Sequence, residues 1–326
     1  MPNQGGLFMK AVILDGYTTN PGDLSWDWLS DYVDTFAVYD RTAPDEILER
    51  TRDCEIVITN KTRLMAPELD ALTCTQYIGL LSTGFDAVDV AHARKLGIPV
   101  CNIPAYSTGG VAQLTFAMIL EFTNRVALHN QAVKAGEWTK NGNFCFWKSD
   151  LRELEGKTIG IIGYGRIGHA VAKIAEAFGM HVLCCTAHPE KYPDAPVRFC
   201  SLDTLLPESD FVSLHCPCTT ETTGMVDRSF LQSMKKTAFL INTSRGAVIQ
   251  EDALREALDR GWIAGCGVDV LSAEPAKPDN PIAFHEKCIV TPHIAWAAFE
   301  TRERLMKICR DNLQAFFAGK PIHVVN

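Results

Sequence analysis

The stretch TIGIIGYGRIGHAVAKIAEAF, residues 158–178, decides the fold of this chain. It begins with Thr158–Ile162, a β-branched and apolar run that predicts a buried strand. The glycine-rich turn Gly163–Gly168 follows, and Gly168–Phe178 then has the apolar spacing of an amphipathic helix. A strand, a glycine turn and a helix in this order are typical of the unit that opens a parallel α/β sheet.

Each glycine of the turn has its own physical reason. Gly163 permits the tight turn, Gly165 lets a pyrophosphate approach the backbone, and Gly168 lets the helix pack on the strand. The N-terminus of the helix offers N–H donors and the positive end of its dipole to the phosphates. The pattern therefore predicts a dinucleotide site to which Arg166 and Ile167 also contribute; the alternative is an ordinary glycine-containing loop.

The strand after this helix, His181–Cys185, lacks the residue that usually completes such a site. In NAD-binding units a carboxylate about 20 residues beyond the glycines holds the ribose 2′-hydroxyl. Thr186 occupies this place, and His188 and Lys191 follow it. Because position 186 has no carboxylate, nothing there would repel the 2′-phosphate of NADP. We therefore expect NAD or NADP as cofactor, with a preference for NADP or use of both.

Strand-like and helix-like segments alternate on both sides of the glycine turn, which predicts parallel sheets covered by helices. The further predicted strands are Lys10–Leu14, Glu55–Thr59, Tyr77–Leu81, Pro99–Asn102, Phe211–Leu214, Ala238–Asn242, Gly265–Val270 and Cys288–Val290. A long helix is expected from Val111 to about Ala135, and a last one over Ala298–Phe317.

Composition and charge exclude several classes of protein. Hydrophobic residues make up 47% and charged residues 21% of the 326 residues, as in an ordinary globular protein. The 31 basic and 39 acidic residues give a net charge of −8, which disfavours nucleic acid and anionic membranes as partners. No apolar run approaches the roughly 18 residues of a membrane span. Residues 1–8 lack the features of a signal peptide, so we expect a cytoplasmic protein.

The 12 cysteines are expected to be reduced. Several lie in apolar runs such as Val182–Cys185, which is typical of buried thiols in a cytosolic protein. His215, Cys216 and Cys218 lie close together in sequence, but no second Cys/His pair follows at zinc spacing. We therefore expect no metal site.

Several further phrases occur in the order found in one known family. They are Ser82-Thr-Gly-Phe-Asp86, Asn102-Ile-Pro-Ala-Tyr-Ser107, Asn242-Thr-Ser-Arg-Gly246, Gly267-Val-Asp-Val270 with Glu274-Pro275, and Thr291-Pro-His293. Together with the glycine turn, they make the chain resemble the D-isomer-specific 2-hydroxyacid dehydrogenases from Asn60 to Asn312. Within the family it looks most like the glycerate dehydrogenase and hydroxypyruvate reductase group. The resemblance implies reduction of a small 2-oxo acid, hydroxypyruvate or glyoxylate, by NAD(P)H.

The chemistry of such a reduction can also be argued from the residues. It needs a hydride from the nicotinamide, a proton donor for the carbonyl oxygen and a cation for the carboxylate. His293 suits proton donation because histidine titrates near neutral pH, and Glu274 can accept a hydrogen bond from its other ring nitrogen. Arg245 can hold the carboxylate with its planar fork of donors. Singly, the three could be a buried histidine, a turn residue and an ion-pair partner; together they favour catalysis.

Other positions are expected to contact the two ligands. The backbone amides of Ser82, Thr83 and Gly84 can bind a carboxylate, Lys61 can add positive charge, and Trp296 can form a wall of the substrate pocket. Lys61 could equally be a solvated loop residue and Trp296 part of the core. The resemblance implies further cofactor contacts at Thr108, Cys216, Pro217, Thr243 and Asp269. Asp269 also has an independent reason, because its carboxylate could accept a hydrogen bond from the nicotinamide amide.

The position of the glycine turn in the middle of the chain predicts two domains. We expect a Rossmann dinucleotide domain, residues 108–296, inserted into a flavodoxin-like substrate domain formed by residues 1–107 and 297–326. Both would be doubly wound α/β units. The aromatic segment Trp138–Trp147 could be a subunit contact or internal core, and the resemblance favours a homodimer.

Two alternatives remain open for the function. One is a phosphoglycerate-type or other D-2-hydroxyacid dehydrogenase, although no basic cluster suggests a substrate phosphate. The other is a dinucleotide-sensing binding protein, like the corepressors built on this fold, which retain similar site residues. Turnover distinguishes the second alternative from an enzyme.

Overall fold

The computed structural model describes residues 8–326, and the chain forms two compact units. One unit contains the chain up to Tyr106 together with Ala297–Asn326, and the other is Ser107–Trp296. The interpretation of the chain start concerns residues 1–8 and lies, apart from Phe8, outside the described residues. Within residues 8–326, no helix has the length and apolar character needed to cross a membrane.

The first unit is built on a five-stranded parallel sheet with the order β2-β1-β3-β4-β5. Its strands are β1 (Lys10–Ile13), β2 (Thr35–Val38), β3 (Ile56–Thr59), β4 (Tyr77–Leu80) and β5 (Val100–Cys101). This is the flavodoxin-like order, in which the chain reverses direction across the sheet between β1 and β3. Ligand sites of such sheets form at the carboxyl ends of the strands beside this reversal.

The second unit is built on a seven-stranded parallel sheet with the order β12-β11-β10-β9-β6-β7-β8. Its strands are β6 (Thr158–Ile162), β7 (His181–Cys185), β8 (Arg198–Phe199), β9 (Phe211–Leu214), β10 (Phe239–Asn242), β11 (Gly265–Val268) and β12 (Cys288–Val290). The order is that of a doubly wound Rossmann sheet, with its reversal between β6 and β9. The structure thus has two parallel α/β sheets, as the sequence predicts.

Helices connect the strands. They are α1 (Ile47–Thr51), α2 (Ala66–Ala71), α3 (Val90–Lys95), α4 (Thr108–Asn124), α5 (Val126–Lys134), α6 (Glu137–Asn141), α7 (Arg166–Ala177), α8 (Leu202–Glu208), α9 (Arg228–Ser233), α10 (Glu251–Arg260) and α11 (Phe299–Phe317). The single helix expected from Val111 to about Ala135 is wrong. Arg125 has a φ of +48°, and this left-handed backbone ends α4 and separates it from α5.

The glycine turn packs backbone against backbone where the second sheet reverses. Gly163 has a φ of +95°, and a Cβ there would lie 2.6 Å from the amide nitrogen of Cys216. A Cβ at Gly168 would overlap the carbonyl oxygen of Gly163, whereas a Cβ at Gly165 would meet nothing within 4 Å. The first and third glycines are therefore required by packing, and the second faces open space. Helix α7 begins at Arg166, two residues earlier than expected.

These contacts predict different stabilities for two alanine variants. Gly168→Ala should lower the free energy of unfolding by about 2 kcal/mol or more, hence Tm by roughly 5 °C, because its Cβ displaces backbone. Gly165→Ala is the matched control and should change the free energy of unfolding by less than about 0.5 kcal/mol. Urea unfolding and calorimetry measure both values. Equal stability of the two variants would contradict this packing.

Candidate active site

The second unit gathers polar residues at one edge of its sheet. Because all seven strands are parallel, the residues that follow them lie at the same carboxyl edge. The glycine turn follows β6, Cys216 follows β9, Arg245 follows β10, Asp269 follows β11 and His293 follows β12. The proposed cofactor and catalytic residues of this unit therefore belong to one region of the fold.

His293 and Glu274 form a hydrogen-bonded pair. The distance between His293 Nδ1 and Glu274 Oε2 is 2.7 Å. Glu274 Oε1 accepts a second hydrogen bond from the amide of Leu271 at 3.0 Å, so the carboxylate is held from its own loop. Since Nδ1 is engaged, Nε2 is the ring nitrogen that can exchange a proton with a substrate. The His293 side chain is 29% exposed, which leaves the ring accessible.

The turn that carries His293 is held by Asp269. His293 has a left-handed φ of +56°, and its amide donates to the carbonyl oxygen of Asp269 at 2.9 Å. The Asp269 carboxylate accepts hydrogen bonds from Thr291 Oγ1 at 2.6 Å and from the amides of Ile294 and Ala295 at 2.8 Å each. These bonds fix the backbone before and after His293, whose left-handed conformation is unfavourable by itself.

Asp269 is 1% exposed, and burial raises the pKa of its carboxyl group against the opposing effect of Thr291 and the two amides. Three hydrogen bonds from the chain assign the carboxylate a positioning role. Its contact with a nicotinamide amide stays a prediction. Sequence reasoning missed this role of Asp269 and the contribution of Thr291. The Thr291 hydroxyl and the Asp269 carboxylate are 22 residues apart in the chain, so no local pattern indicates their contact.

Arg245 projects from a rigid turn after β10. The Asn242 side chain donates from Nδ2 to the carbonyl oxygen of Arg245 at 2.9 Å and accepts from the amide and hydroxyl of Ser244 at 3.0 and 2.8 Å. The Arg245 side chain is exposed, and its Nη1 donates to the carbonyl oxygen of Ser244 at 2.8 Å. Among residues 8–326, no carboxylate forms an ion pair with this guanidinium. It can therefore bind an anionic ligand.

Gly246 packs this turn against the segment that leads to Glu274. A Cβ at Gly246 would lie 2.5 Å from the amide nitrogen of Ser272 and would overlap the backbone of Leu271. Glu251 holds the same segment, accepting from the Ser272 amide at 2.7 Å. Neither Gly246 nor Glu251 carries a local sequence signal for this role.

The reversal between β6 and β9 contains two groups that burial keeps uncharged. The His215 amide donates to the carbonyl oxygen of Ile162 at 2.7 Å, and its Nε2 lies 2.8 Å from Ser213 Oγ. Burial lowers the pKa of His215 to about 4 and raises the pKa of the Cys216 thiol. In the part of the chain that the structure describes, no group of three His, Cys, Asp or Glu side chains is arranged to hold a metal.

The other proposed cofactor residues surround the glycine turn with mixed exposure. Arg166 is exposed at the first position of α7 and Ile167 is half-buried. Thr186 directly follows β7 and is half-buried, and His188 Nδ1 lies 3.1 Å from Glu190 Oε1. Open space at Gly165, beside the N-terminus of α7, fits a pyrophosphate.

Three further proposed cofactor residues lie at other ends of elements. Thr108 begins α4, and Pro217 is exposed after β9. Thr243 is only 7% exposed, and its hydroxyl lies 3.2 Å from the hydroxyl of Thr115. The Thr243 side chain is thus buried and hydrogen-bonded within the protein. We therefore expect any contact with a ligand to be made by its backbone.

The first unit holds the proposed substrate residues at the carboxyl ends of β3 and β4. Asp15 accepts hydrogen bonds from the amides of Asn60, Lys61 and Thr62 at 2.7, 2.5 and 2.9 Å, and the Lys61 side chain is exposed. Sequence reasoning missed this role of Asp15. The turn after β3 is therefore rigid.

The turn after β4 presents backbone donors. Ser82 Oγ donates to the carbonyl oxygen of Gly84 at 2.6 Å, and Thr83 Oγ1 donates to that of Ile103 at 2.7 Å. Within residues 8–326, the amides of Ser82, Thr83 and Gly84 donate to no protein acceptor. Trp296, the last proposed residue, belongs to the second unit and is half-buried one residue after Ala295.

Comparison with known proteins identifies the family of this chain. Residues 116–295 match the family model described as D-isomer specific 2-hydroxyacid dehydrogenase, NAD binding domain. The hydroxypyruvate reductase of Blautia hydrogenotrophica is 45% identical over 98% of this chain and 100% of its own. The glycerate dehydrogenase of Methylorubrum extorquens is 37% identical over 97% of this chain and 98% of its own.

Solved structures are similar over the whole chain. An acyclic imino acid reductase in complex with NADPH and D-Arg has a TM-score of 0.82 at 30% identity, covering 98% of this chain and 100% of its own. The NADPH-dependent glyoxylate/hydroxypyruvate reductase of Sinorhizobium meliloti, in complex with NADP and malonate, has a TM-score of 0.79 at 26% identity, covering 98% and 97%. This chain thus belongs to the D-isomer-specific 2-hydroxyacid dehydrogenases, enzymes that transfer a hydride between NAD(P)H and a 2-oxo acid.

Proposed function

We propose that this dehydrogenase reduces hydroxypyruvate to D-glycerate, with glyoxylate as a second substrate. The observation that carries the proposal is the His293–Glu274 pair at the carboxyl edge that also presents Arg245. Relatives 45% and 37% identical are named for hydroxypyruvate and glycerate, which supports this choice among 2-oxo acids.

The geometry of the second unit supports the following catalytic roles. A dihydronicotinamide cofactor, held at the glycine turn and the N-terminus of α7, would supply the hydride that reduces the carbonyl carbon. His293 donates a proton from Nε2 to the carbonyl oxygen, while Glu274 holds the ring through Nδ1 at 2.7 Å. Arg245 binds the substrate carboxylate through paired N–H donors. In the oxidative direction His293 accepts the proton instead.

We assign residues 108–296 to cofactor binding, and residues 1–107 with 297–326 to substrate binding. Lys61 and the amides of Ser82, Thr83 and Gly84 are the proposed substrate contacts of the first unit. Unpaired amides beside a lysine make a site suited to a carboxylate. Trp296 is the proposed apolar contact from the second unit.

The end of β7 supports use of NADP. Thr186 brings no negative charge to the place where NAD-specific proteins carry a carboxylate. Lys191, five residues beyond Thr186, is exposed, as is Arg166 at the start of α7. Glu190 is engaged with His188 at 3.1 Å. A 2′-phosphate therefore meets no carboxylate at position 186, and we propose NADP preference or use of both cofactors.

We also propose a cytoplasmic homodimer that binds no nucleic acid. Trp138, Phe144 and Trp147 are 46%, 94% and 67% exposed, and exposed aromatic side chains close together in sequence are typical of a protein–protein contact. Phe146 beside them is half-buried. The net charge of −8 argues against a nucleic-acid partner.

The substrate proposal predicts a ranking in steady-state assays. With NADPH, hydroxypyruvate should have the highest kcat/KM, glyoxylate the next, and pyruvate and 2-oxoglutarate lower values. A higher kcat/KM for 3-phosphohydroxypyruvate would indicate the phosphoglycerate-type alternative. Tight dinucleotide binding without turnover of any acid would contradict the proposal and favour a sensor.

The catalytic assignment predicts large losses for two variants. His293→Ala should lower kcat by about 10²–10⁴-fold because the proton donor is lost. Arg245→Ala should lower kcat/KM by about 10²-fold or more because a charged pair of hydrogen bonds is lost. Both should retain the Kd for NADPH, measured by fluorescence titration.

Two exposed residues provide matched controls for these losses. His181 begins β7, and Arg255 on α10 pairs with Asp259 at 2.8 Å, so neither belongs to the proposed site. His181→Ala and Arg255→Ala should keep kcat within about twofold, as surface substitutions usually do. Near-normal turnover in both site variants would refute the roles of His293 and Arg245.

The cofactor proposal predicts that kcat/KM for NADPH equals or exceeds that for NADH. Thr186→Asp should lower the NADPH to NADH ratio by about tenfold or more, because a carboxylate repels the 2′-phosphate. Thr186→Asn introduces a side chain with the shape of aspartate but without its charge. It should shift the NADPH to NADH ratio far less. A strong preference of the unmodified enzyme for NADH would overturn the proposal.

A further inference from the structure

Two cysteines face each other on neighbouring strands of the second unit. Cys266 on β11 and Cys288 on β12 are partners in the parallel register. Their sulfur atoms lie 3.0 Å apart. Within residues 8–326, this is the pair of cysteines whose sulfurs are in hydrogen-bonding contact.

The backbone already fits a cross-link between these residues. Neighbouring strands lie about 4.8 Å apart, and disulfides join Cα atoms about 4.4–6.8 Å apart. Since the two residues are in register, their side chains leave the sheet on the same face. Bond formation would bring sulfurs that lie 3.0 Å apart to the disulfide length of about 2.05 Å.

The two thiols differ in access. Cys266 is fully buried in the apolar core cluster to which Leu254 and Leu258 of α10 also belong. Cys288 packs at the margin of this core and is half-buried, so a small oxidant can reach it first. The contact with Cys288 and burial both raise the pKa of the Cys266 thiol, so this thiol stays protonated at neutral pH.

We propose that Cys266 and Cys288 are a dithiol that hydrogen peroxide converts to a disulfide. Peroxide first oxidises the Cys288 thiol to a sulfenic acid and releases one water. The Cys266 sulfur then attacks the Cys288 sulfur, the S–S bond forms, the S–O bond breaks, and the hydroxyl leaves as water with the Cys266 proton. The two thiols lose two electrons in total, and peroxide gains them.

The disulfide would close the segment that carries two site residues. Asp269 and Glu274 both lie between positions 266 and 288, and Thr291 begins the His293 turn three residues beyond Cys288. A cross-link between β11 and β12 limits the opening of this segment and restricts the unfolded chain. The oxidised protein should therefore resist heat better than the reduced one.

Peptide mapping of the full-length protein tests the proposal. The reduced enzyme is treated with hydrogen peroxide, its remaining thiols are blocked with N-ethylmaleimide, and it is digested without reductant for mass spectrometry. We expect a Cys266–Cys288 linked peptide, 2 Da lighter than the two thiol peptides combined. Calorimetry should show Tm raised by about 5 °C, and dithiothreitol should reverse the rise.

Variants separate this pair from the other cysteines. Cys288→Ser should lose both the linked peptide and the rise in Tm. Cys218→Ser, which replaces an exposed cysteine, should retain both. Conversion of Cys288 to a sulfinic acid without a link, or a link between other cysteines, would overturn the proposal. The map of the unmodified protein decides this even where Cys288→Ser folds poorly.

Discussion

The buried carboxylate of Asp269 holds the turn on which the proposed chemistry depends. Three donors from residues 291–295 converge on it within 2.8 Å, and the Asp269 carbonyl oxygen accepts from the His293 amide. His293 can keep a left-handed backbone because the surrounding hydrogen bonds over-determine it. The ring is thereby presented to Glu274 at 2.7 Å. The burial that raises the pKa of Asp269 is the cost of this arrangement, and the donors offset it.

The first unit uses the same device between β1 and β3. Asp15 follows β1 and is 5% exposed, and its carboxylate accepts from three successive amides after β3. In each unit a buried aspartate at the end of one strand fixes the turn after the adjacent strand. Parallel sheets favour this solution because neighbouring strands end at the same edge, where backbone donors would otherwise lack partners. The Asn242 side chain holds the Arg245 turn in a related way, within a single loop.

Local pattern predicts much of this molecule and fails where partners are distant. The run Thr158–Ile162, the glycine turn and the later buried strands were read correctly because apolar runs and glycines act within a few residues. The edge strand Thr35–Val38 was missed, since its mostly exposed residues carry no buried pattern. The break at Arg125 was missed because no glycine or proline marks it. Asp15 contacts residues 45–47 positions away, so its role could not be read from its neighbours.

An enzyme with a net charge of −8 must still bind two anions, a 2-oxo acid and a dinucleotide. The structure meets this demand locally. The two buried carboxylates, Asp15 and Asp269, are surrounded by N–H and O–H donors, which offset their charge at the edges where ligands bind. The two units also offer positive or donating groups there: the guanidinium of Arg245, the exposed Lys61, the amides of residues 82–84 and the N-terminus of α7. We therefore expect anion binding to depend on these local groups and not on the overall charge.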